Sequence, residues 1–481
     1  MYDIAIIGAG IVGGFLAYDL SKYKLKILIL DKENDVANGT SMANSAIVHT
    51  GHDPEDNTLK AKLNVEGSRM YAEICRNLHL PYLKCGAYVV ARNNEDIENL
   101  KILKSRALKR KISVEEVDQM TIRKTEKNIS DDVICGLSFP DTAIIDPMLT
   151  TISLIEQSIL SGSELYLNHE VVNITKNNTE NFYLIKTANG HEFKSKMVIN
   201  SAGLASDKIA EMIGNYDYKI NYFRGEYFIL DKIHKDFVSR VIYPTPSKVG
   251  KGVLALPTVH GNIMLGPTSD KVEFMNEINT SQAGLELVKK KLNYVVKDIP
   301  FKGVIRSFAG IRAKVDSKDF IITEDKTNKN FINLIGIDSP GIASAPAISK
   351  YVIKNFVEKS FCLESNPNFA FEVKVYPAIA SQEDKESLIK QNSKYGKIIC
   401  RCELISEQEI IDQIHRPLPA TTIKGIKKRC RPGMGKCQGG FCQPLITKIL
   451  SQELNVELNK INYDSNKSKV VLCAKEKLYD L

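Results

Sequence analysis

The sequence lacks any apolar run that approaches the roughly 18 residues of a membrane-spanning helix. It also lacks a strong charge imbalance, because 65 basic residues stand against 57 acidic ones and leave a net charge of +8. This mild excess does not call for a nucleic-acid partner. The first apolar run begins at residue 4, which leaves no room for a signal or transit peptide. We therefore expect a cytoplasmic protein, and peripheral association with the inner face of the membrane through a partner stays open.

The ten cysteines do not form a disulfide framework, which would be unusual in a cytoplasmic chain. Five of them are scattered among apolar neighbours and are predicted to fill cores: Cys75, Cys85, Cys135, Cys362 and Cys473. The others lie between residues 400 and 442, where Cys400-x-Cys402 is followed, after 34 residues, by Cys437-x4-Cys442. Neither pair has the CxxC spacing that zinc modules usually use. Two close pairs can supply four thiolates to one metal centre, with zinc as the open alternative.

A GxGxxG motif at residues 8–13 follows an apolar, strand-like run and opens a helical pattern. This is the context in which the motif binds a dinucleotide. Gly8 permits the tight turn, Gly10 permits the approach of a pyrophosphate, and Gly13 permits close packing of helix on strand. A second strand-like run ends at Asp31, an acid placed to accept hydrogen bonds from an adenosine ribose. The order of these elements predicts a dinucleotide-binding unit.

The length of 481 residues suggests more than one domain. A strand, a glycine turn and a helix recur at residues 198–207, which predicts a second approach to the nucleotide, and again near residues 331–346. Residues 220–310 predict a separate β-rich sheet. The predicted parts are an α/β oxidoreductase unit at 1–362, a polar linker at 363–397, a cysteine module at 398–455 and a tail at 456–481.

The three glycine turns together resemble those of the D-amino-acid oxidase superfamily of flavoproteins. The loop at residues 39–51 and the stretch at residues 250–267 look more closely like FAD-dependent glycerol-3-phosphate dehydrogenases and oxidases, whose near relatives are L-2-hydroxyglutarate oxidases. The resemblance covers about residues 1–360. It implies an α/β fold, in which a Rossmann-type FAD-binding domain is interleaved with a mainly antiparallel β-sheet substrate domain.

The same resemblance implies how FAD is held. The glycines of the 8–13 motif would hold the pyrophosphate, and Asp31, with Lys32 beside it, would hold the ribose. Val172 would meet the adenine, and Ala202 and Gly203 would lie near the ribityl or pyrophosphate region. The other implied FAD contacts are Thr40, Ser41, Asn44, Ser45, Ala46 and Val48 from the loop, and Gly336, Gly341 and Ile342 at the flavin pyrimidine ring.

Four further residues are assigned to substrate chemistry by the resemblance. His49 matches the histidine that glycerol-phosphate members of the family place over the flavin, and the ordinary pKa of a histidine, about 6.5, suits a general base. Arg312 matches the substrate arginine, whose guanidinium grips either a phosphate or a carboxylate. Lys251 would add the second positive charge that a phosphate dianion favours, and Ser339 would donate a hydrogen bond to substrate.

The cysteine module is similar, at residues 433–442, to the [2Fe-2S] domain of bacterioferritin-associated ferredoxin. That domain recurs in some anaerobic glycerol-3-phosphate dehydrogenase-like proteins. Ser406 with Glu409 predicts a capping box that opens a helix, and Pro444 suits the first turn of another helix. Cys430 is a fifth cysteine, where the family commonly has none. The implied cluster ligands are Cys400, Cys402, Cys437 and Cys442.

Basic residues crowd the second cysteine pair. Because four thiolates around an oxidised [2Fe-2S] core leave about two negative charges, nearby cations are predicted to offset them. These cations are Lys424, Lys427, Lys428, Arg429, Arg431 and Lys436.

Together the patterns predict a FAD-dependent dehydrogenase that oxidises glycerol 3-phosphate to dihydroxyacetone phosphate. Hydride would pass to flavin N5, and electrons would leave through the [2Fe-2S] cluster to a partner protein or a quinone. Two alternatives stay open. One is an L-2-hydroxyglutarate-type dehydrogenase or oxidase, in which Arg312 holds a carboxylate, and the other is a non-catalytic electron-transfer subunit.

Overall fold

The structure, a computed structural model, describes residues 1–246, 252–369 and 382–471. The predicted substrate residue Lys251 lies outside the described residues. The helices are α1 (Ile11–Leu20), α2 (Leu59–Asn77), α3 (Asn94–Lys109), α4 (Gln119–Thr125), α5 (Pro147–Leu160), α6 (Ser206–Glu211), α7 (Gln282–Leu292), α8 (Gly341–Val352), α9 (Glu358–Ser360), α10 (Gln382–Gln391), α11 (Glu407–Ile414), α12 (Ile423–Cys430) and α13 (Gln443–Glu453). In the part of the chain that is described, no helix is long and apolar enough to cross a membrane.

The strands follow the same chain order. They are β1 (Tyr2–Ile7), β2 (Ile27–Leu30), β3 (Ile47–Val48), β4 (Tyr82–Leu83), β5 (Ala87–Ala91), β6 (Glu115–Asp118), β7 (Cys135–Phe139), β8 (Ala143–Ile145), β9 (Glu164–Tyr166), β10 (Val171–Asn177), β11 (Phe182–Thr187), β12 (Glu192–Asn200), β13 (Asn221–Leu230), β14 (Val241–Pro244), β15 (Leu254–Pro257), β16 (Ile263–Gly266), β17 (Asp270–Val272), β18 (Val304–Lys314), β19 (Ile321–Glu324), β20 (Phe331–Ile335), β21 (Ile398–Cys400) and β22 (Ile405–Ser406).

An eight-stranded sheet contains the dinucleotide unit. Its order is β10-β11-β12-β1-β2-β9, and β20 joins it beside β12 with β19 at the outer edge. Strands β1, β2, β9, β12 and β20 pair in parallel. The apolar runs of β1, β2, β12 and β20 are buried, as parallel strands covered on both faces require. Helix α1 contacts β1, α5 and α8. The predicted Rossmann-type architecture is confirmed.

A nine-stranded sheet forms the second layer, in the order β17-β13-β16-β15-β14-β5-β7-β6, with β18 paired to β13. Every strand pairing in it is antiparallel except that of β14 with β5. Its strands come from two segments of the chain, one lying between β2 and β9 and the other between β12 and β19. The prediction of an antiparallel sheet interleaved with the nucleotide-binding unit is therefore confirmed.

The cysteine module has its own apolar core. The β21–β22 hairpin and helices α11 to α13 surround Ile410, Ile426 and Leu450, which are fully buried. The predicted capping box is present, because Ser406 and Glu409 bond each other's backbone at the start of α11. Pro444 occupies the first turn of α13, as predicted.

Parts of the predicted linker and tail pack against this module. Tyr395, in the segment predicted as linker, donates a hydrogen bond of 2.7 Å to Asp412 of α11. Ile461, in the predicted tail, is buried in the module's core. The packing of the module therefore includes residues from both the predicted linker and the predicted tail.

Candidate active site and cluster site

One large cleft, of about 2010 Å³, is lined by residues of both large sheets. It collects most of the residues that the sequence assigns to FAD and substrate. Those that line it are Gly8, Gly10, Asp31, Lys32, Thr40, Ser41, Asn44, Ser45, Ala46, His49, Ala202, Gly203, Arg312, Ser339, Gly341 and Ile342. The chain segments that supply them are far apart in sequence, and the fold brings them to a single site.

Four predicted FAD residues do not line this cleft. Gly13 packs beneath the glycine turn, and Val48 is buried in an apolar cluster. Gly336 lies against Val315, where an added Cβ would come within 2.6 Å of a methyl group. The side chain of Val172 is 49% exposed, and its neighbour Val171 lines the cleft instead. The strand is irregular between Val171 and Asn173, and the assignment of Val172 to the adenine stays a prediction.

The glycine turn is built on close backbone contacts. Gly8 has a φ of +103°, and a Cβ there would come within 2.6 Å of the Ser201 carbonyl oxygen. A Cβ on Gly13 would come within 2.0 Å of the Gly8 carbonyl oxygen. The N-terminus of α1 opens on the cleft and has no capping side chain at Gly10. This end of the helix carries partial positive charge and suits a pyrophosphate.

Asp31 stands at the end of β2, at the cleft wall. Its Oδ2 accepts the Ala9 backbone N–H at 2.7 Å, and its Oδ1 accepts the Glu33 N–H at 2.9 Å. Burial raises the pKa of Asp31, while these two hydrogen bonds act in the opposite direction. The carboxylate thus links the glycine turn to the loop that follows β2.

The second helix terminus at the cleft belongs to α8. Gly341 and Ile342 of its first turn line the cleft, and this turn has neither an acidic residue nor a capping side chain. Two helix N-termini therefore face one cavity. Both favour electron-rich groups, which agrees with the diphosphate of FAD and the carbonyl-bearing edge of its ring.

His49 follows β3, which pairs with β8. Its Nδ1 lies 3.0 Å from the Tyr243 hydroxyl, and its carbonyl oxygen accepts a hydrogen bond of 2.6 Å from Asn64. Burial raises the pKa of Tyr243 well above its ordinary value, so the phenol stays neutral. Both partners hold the imidazole at the cleft. Tyr243 and Asn64 were not predicted from the sequence, because they lie in other elements and belong to no motif.

Arg312 lies on β18 and donates a hydrogen bond of 3.1 Å to the Thr268 carbonyl. Its guanidinium covers Gly225, where an added Cβ would come within 2.8 Å of Nη2. Lys314 and Lys60 also line the cleft. Burial and the nearby Arg312 lower the pKa of Lys314, and Lys60 pairs with Asp338 at 2.5 Å. The sequence missed these two lysines because isolated lysines are usually solvated.

The four predicted cluster cysteines come together as two pairs of sulfur atoms. Cys402 and Cys437 have their Sγ atoms 3.7 Å apart. A hydrogen bond from the Cys442 thiol lowers the pKa of Cys400 to about 6, so these two sulfurs also meet. Each pair takes one cysteine from each segment. Among the described residues no group of three or more His, Cys, Asp or Glu side chains is arranged to hold one metal ion. Four cysteine thiolates are the ligand set of a [2Fe-2S] cluster.

Cys430 is buried and bonds within its own helix. Its thiol donates to the Ile426 carbonyl at 3.6 Å, within its own helix, and burial raises its pKa well above the ordinary value. Two of the cations predicted to offset the cluster charge, Lys428 and Arg429, instead form ion pairs with Asp35 of the flavin-binding part. Arg431 pairs with Glu403 at 3.3 Å. The predicted ring of cations around the cluster is therefore smaller than the sequence indicates.

Glycine substitutions on α1 test the dinucleotide cradle. We expect Gly13→Ala to abolish FAD retention, because its Cβ would collide with the Gly8 carbonyl, a backbone atom that cannot move aside. Gly14→Ala is the matched control, since its nearest neighbour would be 3.5 Å away and alanine favours a helix by about 1 kcal/mol over glycine. Flavin content after purification is the measurement. Full flavin content in Gly13→Ala would contradict the assignment.

Comparison with known proteins agrees with the geometry. The family model of FAD dependent oxidoreductases matches residues 3–354, and the model of BFD-like [2Fe-2S] binding domains matches residues 398–452. The glycerol 3-phosphate dehydrogenase of Caloramator mitchellensis is 41% identical over 477 residues, which cover 98% of each chain. The glycerol 3-phosphate oxidase of Mycoplasma genitalium is 34% identical and is matched over 94% of its length and 73% of this chain.

A solved structure shares the fold. The FAD-bound L-alpha-glycerophosphate oxidase of Mycoplasma pneumoniae superposes with a TM-score of 0.74 at 28% identity, covering 78% of this chain and 98% of its own. The cleft, its two helix termini and the paired cysteines fit the two groups that these families carry. The chain therefore belongs to the FAD-dependent oxidoreductase family and joins to its flavin-binding part a BFD-like [2Fe-2S] domain.

Proposed function

We propose that this enzyme oxidises glycerol 3-phosphate to dihydroxyacetone phosphate. The observation that carries the proposal is the convergence of His49 and Arg312 on the cleft that also contains the FAD cradle. When bound, FAD supplies the hydride acceptor for an alcohol carbon. The names of the relatives from Caloramator and Mycoplasma support glycerol 3-phosphate as the alcohol.

His49 is the general base in this proposal. A neutral imidazole that donates its Nδ1–H to the Tyr243 hydroxyl presents Nε2 as the nitrogen that accepts the proton of the substrate hydroxyl. The Asn64 contact to the His49 carbonyl keeps the backbone in place. Tyr243 thus acts as a positioning residue, since it contacts the base and is not among the described residues that line the cleft.

Arg312 is the anion-binding residue, and the charges around it favour phosphate. A guanidinium binds phosphate or carboxylate through two parallel hydrogen bonds. Lys314, two residues along β18, adds a second cation at the same cleft, and Lys60 adds a third that Asp338 partly neutralises. A phosphate group places two negative charges together at this cluster, whereas L-2-hydroxyglutarate divides the same two charges between carboxylates at its two ends. Ser339 lines the cleft as a hydrogen-bond donor, and Lys251 stays a prediction from sequence.

The second half of the proposal is that electrons leave the protein at the cysteine module, toward a partner protein or a quinone. Of the four cysteines, Cys402 is exposed and Cys437 is partly exposed, while Cys400 and Cys442 are buried. A cluster bound between these pairs would present one edge to solvent and one edge to the protein. That arrangement suits transfer to an outside acceptor.

A substrate comparison tests the proposal. The anaerobic, FAD-loaded protein is mixed with glycerol 3-phosphate and, separately, with L-2-hydroxyglutarate, and the visible flavin absorbance is followed. We expect bleaching by glycerol 3-phosphate alone. Bleaching by the hydroxy acid alone would assign Arg312 to a carboxylate and overturn the proposal. Bleaching by neither, with a cluster that an added donor reduces, would favour a role limited to electron transfer.

Replacement of His49 tests the assignment of the base. We expect His49→Asn to slow the reductive half-reaction by about 10²- to 10⁴-fold, because the substrate hydroxyl loses its proton acceptor. Tyr243→Phe keeps the base and removes only the hydrogen bond at Nδ1, so its loss is expected to be smaller. Stopped-flow flavin absorbance gives the rates, and flavin content verifies that the site is intact. A rate for His49→Asn close to that of the parent would contradict the assignment.

A further inference from the structure

The loop that follows β2 forms the adenosine end of the cleft. We call residues 32–39 the dinucleotide loop. Lys32, Glu33, Asn38 and Gly39 from it line the cleft. The loop is tied to the glycine turn, since the Ala37 N–H donates to the Ala9 carbonyl at 3.1 Å. Its position therefore decides how well the adenosine diphosphate part of FAD is held.

Helix α12 of the cysteine module holds this loop from behind. Arg429 donates two parallel hydrogen bonds to the Asp35 carboxylate, at 2.7 and 3.0 Å. Lys428 pairs with the same carboxylate at 2.8 Å and also donates to the Val36 carbonyl at 2.7 Å and to Asn38 Oδ1 at 2.8 Å. The side chains of Lys428 and Arg429 are at most 2% exposed.

Water is excluded from these contacts, so each charge depends on its partner. Burial opposes the charge on Asp35, yet Arg429 and Lys428 hold the pKa of that carboxyl far below its usual range. A buried charge that loses its partner is costly. Lys428 donates to three acceptors spread over the loop, from Asp35 to Asn38, so it fixes the loop's shape as well as its charge.

The module also reaches the cleft itself. Lys424 of α12 and Asp464 line the wall of the cleft and pair at 2.5 Å. Asn34 of the dinucleotide loop donates a hydrogen bond to the Asp464 carbonyl, and Asn38 lies 3.5 Å from the Asp464 carboxylate. Residues more than 380 positions beyond the loop thus complete the rim around it.

We infer that the [2Fe-2S] module is part of the FAD site: Lys428 and Arg429 are positioning residues for the dinucleotide loop, and Lys424 forms the rim at its adenosine end. Because coupling between two binding events is reciprocal, FAD should in turn strengthen the docking of α12. The inference concerns the flavin cofactor and is independent of the proposed substrate.

The first test measures FAD release from the holoprotein of Lys428→Met. Methionine is unbranched like lysine and only one heavy atom shorter, and it leaves Asp35 paired with Arg429. We expect the dissociation rate constant of FAD, followed by the fluorescence of released flavin, to rise by about tenfold, as loss of charged hydrogen bonds to the loop implies. Lys448→Met, at an exposed lysine on α13, is the control and should release FAD at the parental rate.

Cluster content, from visible circular dichroism, shows in the same samples whether the module is folded. Parental FAD release by Lys428→Met with a full cluster would overturn the inference.

The second test does not depend on a variant. Hydrogen–deuterium exchange of residues 423–430 is compared in the parent protein with FAD and after its removal. We expect faster exchange without FAD, and equal exchange in both states would overturn the inference whatever the variant does.

Discussion

The buried ion pairs between the cysteine module and the flavin-binding part are the interaction on which the two-part architecture depends. The Asp35 carboxylate forms ion pairs with Arg429 and Lys428. Glu156 of α5 pairs with Arg416, whose side chain is 1% exposed. Such pairs gain little net stability over apolar contacts, but they leave a costly unpaired charge when the partners are misplaced. They therefore fix where the module sits, and with it the separation of the two redox groups.

The rest of the site follows from close approaches within the flavin-binding part. Gly8 and Gly13 let strand, turn and helix meet without side chains, and a Cβ on Gly310 would come within 2.0 Å of the Ala43 carbonyl. That second contact packs the loop at residues 39–51 against β18. In the same loop, the Thr40 hydroxyl donates a hydrogen bond of 3.0 Å to the Ile311 carbonyl. The strand that carries Arg312 and the loop that leads to His49 are thus joined directly. The residues predicted to bind the cofactor and those predicted to bind the substrate therefore line one cleft.

Features whose cause is local could be predicted from the sequence. The GxGxxG turn and the capping box at Ser406 each depend on residues a few positions apart, so the local sequence is enough to predict them. The family resemblance assigned His49 and Arg312 to the site, and both line the cleft, while their roles stay predictions. The contacts of Tyr243 with His49 and of Asp35 with Arg429 join residues 194 and 394 positions apart, and neither Tyr243 nor Asp35 belongs to a motif.

The role of Val172 at the adenine stays a prediction, because this residue is exposed while its neighbour Val171 lines the cleft. The basic run before Cys437 predicts cations for a cluster, yet a helix distributes successive side chains around its axis. Lys428 and Arg429 consequently face the dinucleotide loop, while Arg431 stays on the cysteine side with Glu403.

We propose that substrate electrons pass within one chain from the flavin to the cysteine module. Freeze-quench electron paramagnetic resonance after anaerobic mixing with glycerol 3-phosphate measures this step. We expect a reduced [2Fe-2S] signal that appears after flavin bleaching at a rate independent of protein concentration. A bleached flavin beside a cluster that stays oxidised, or a rate that rises with protein concentration, would contradict it.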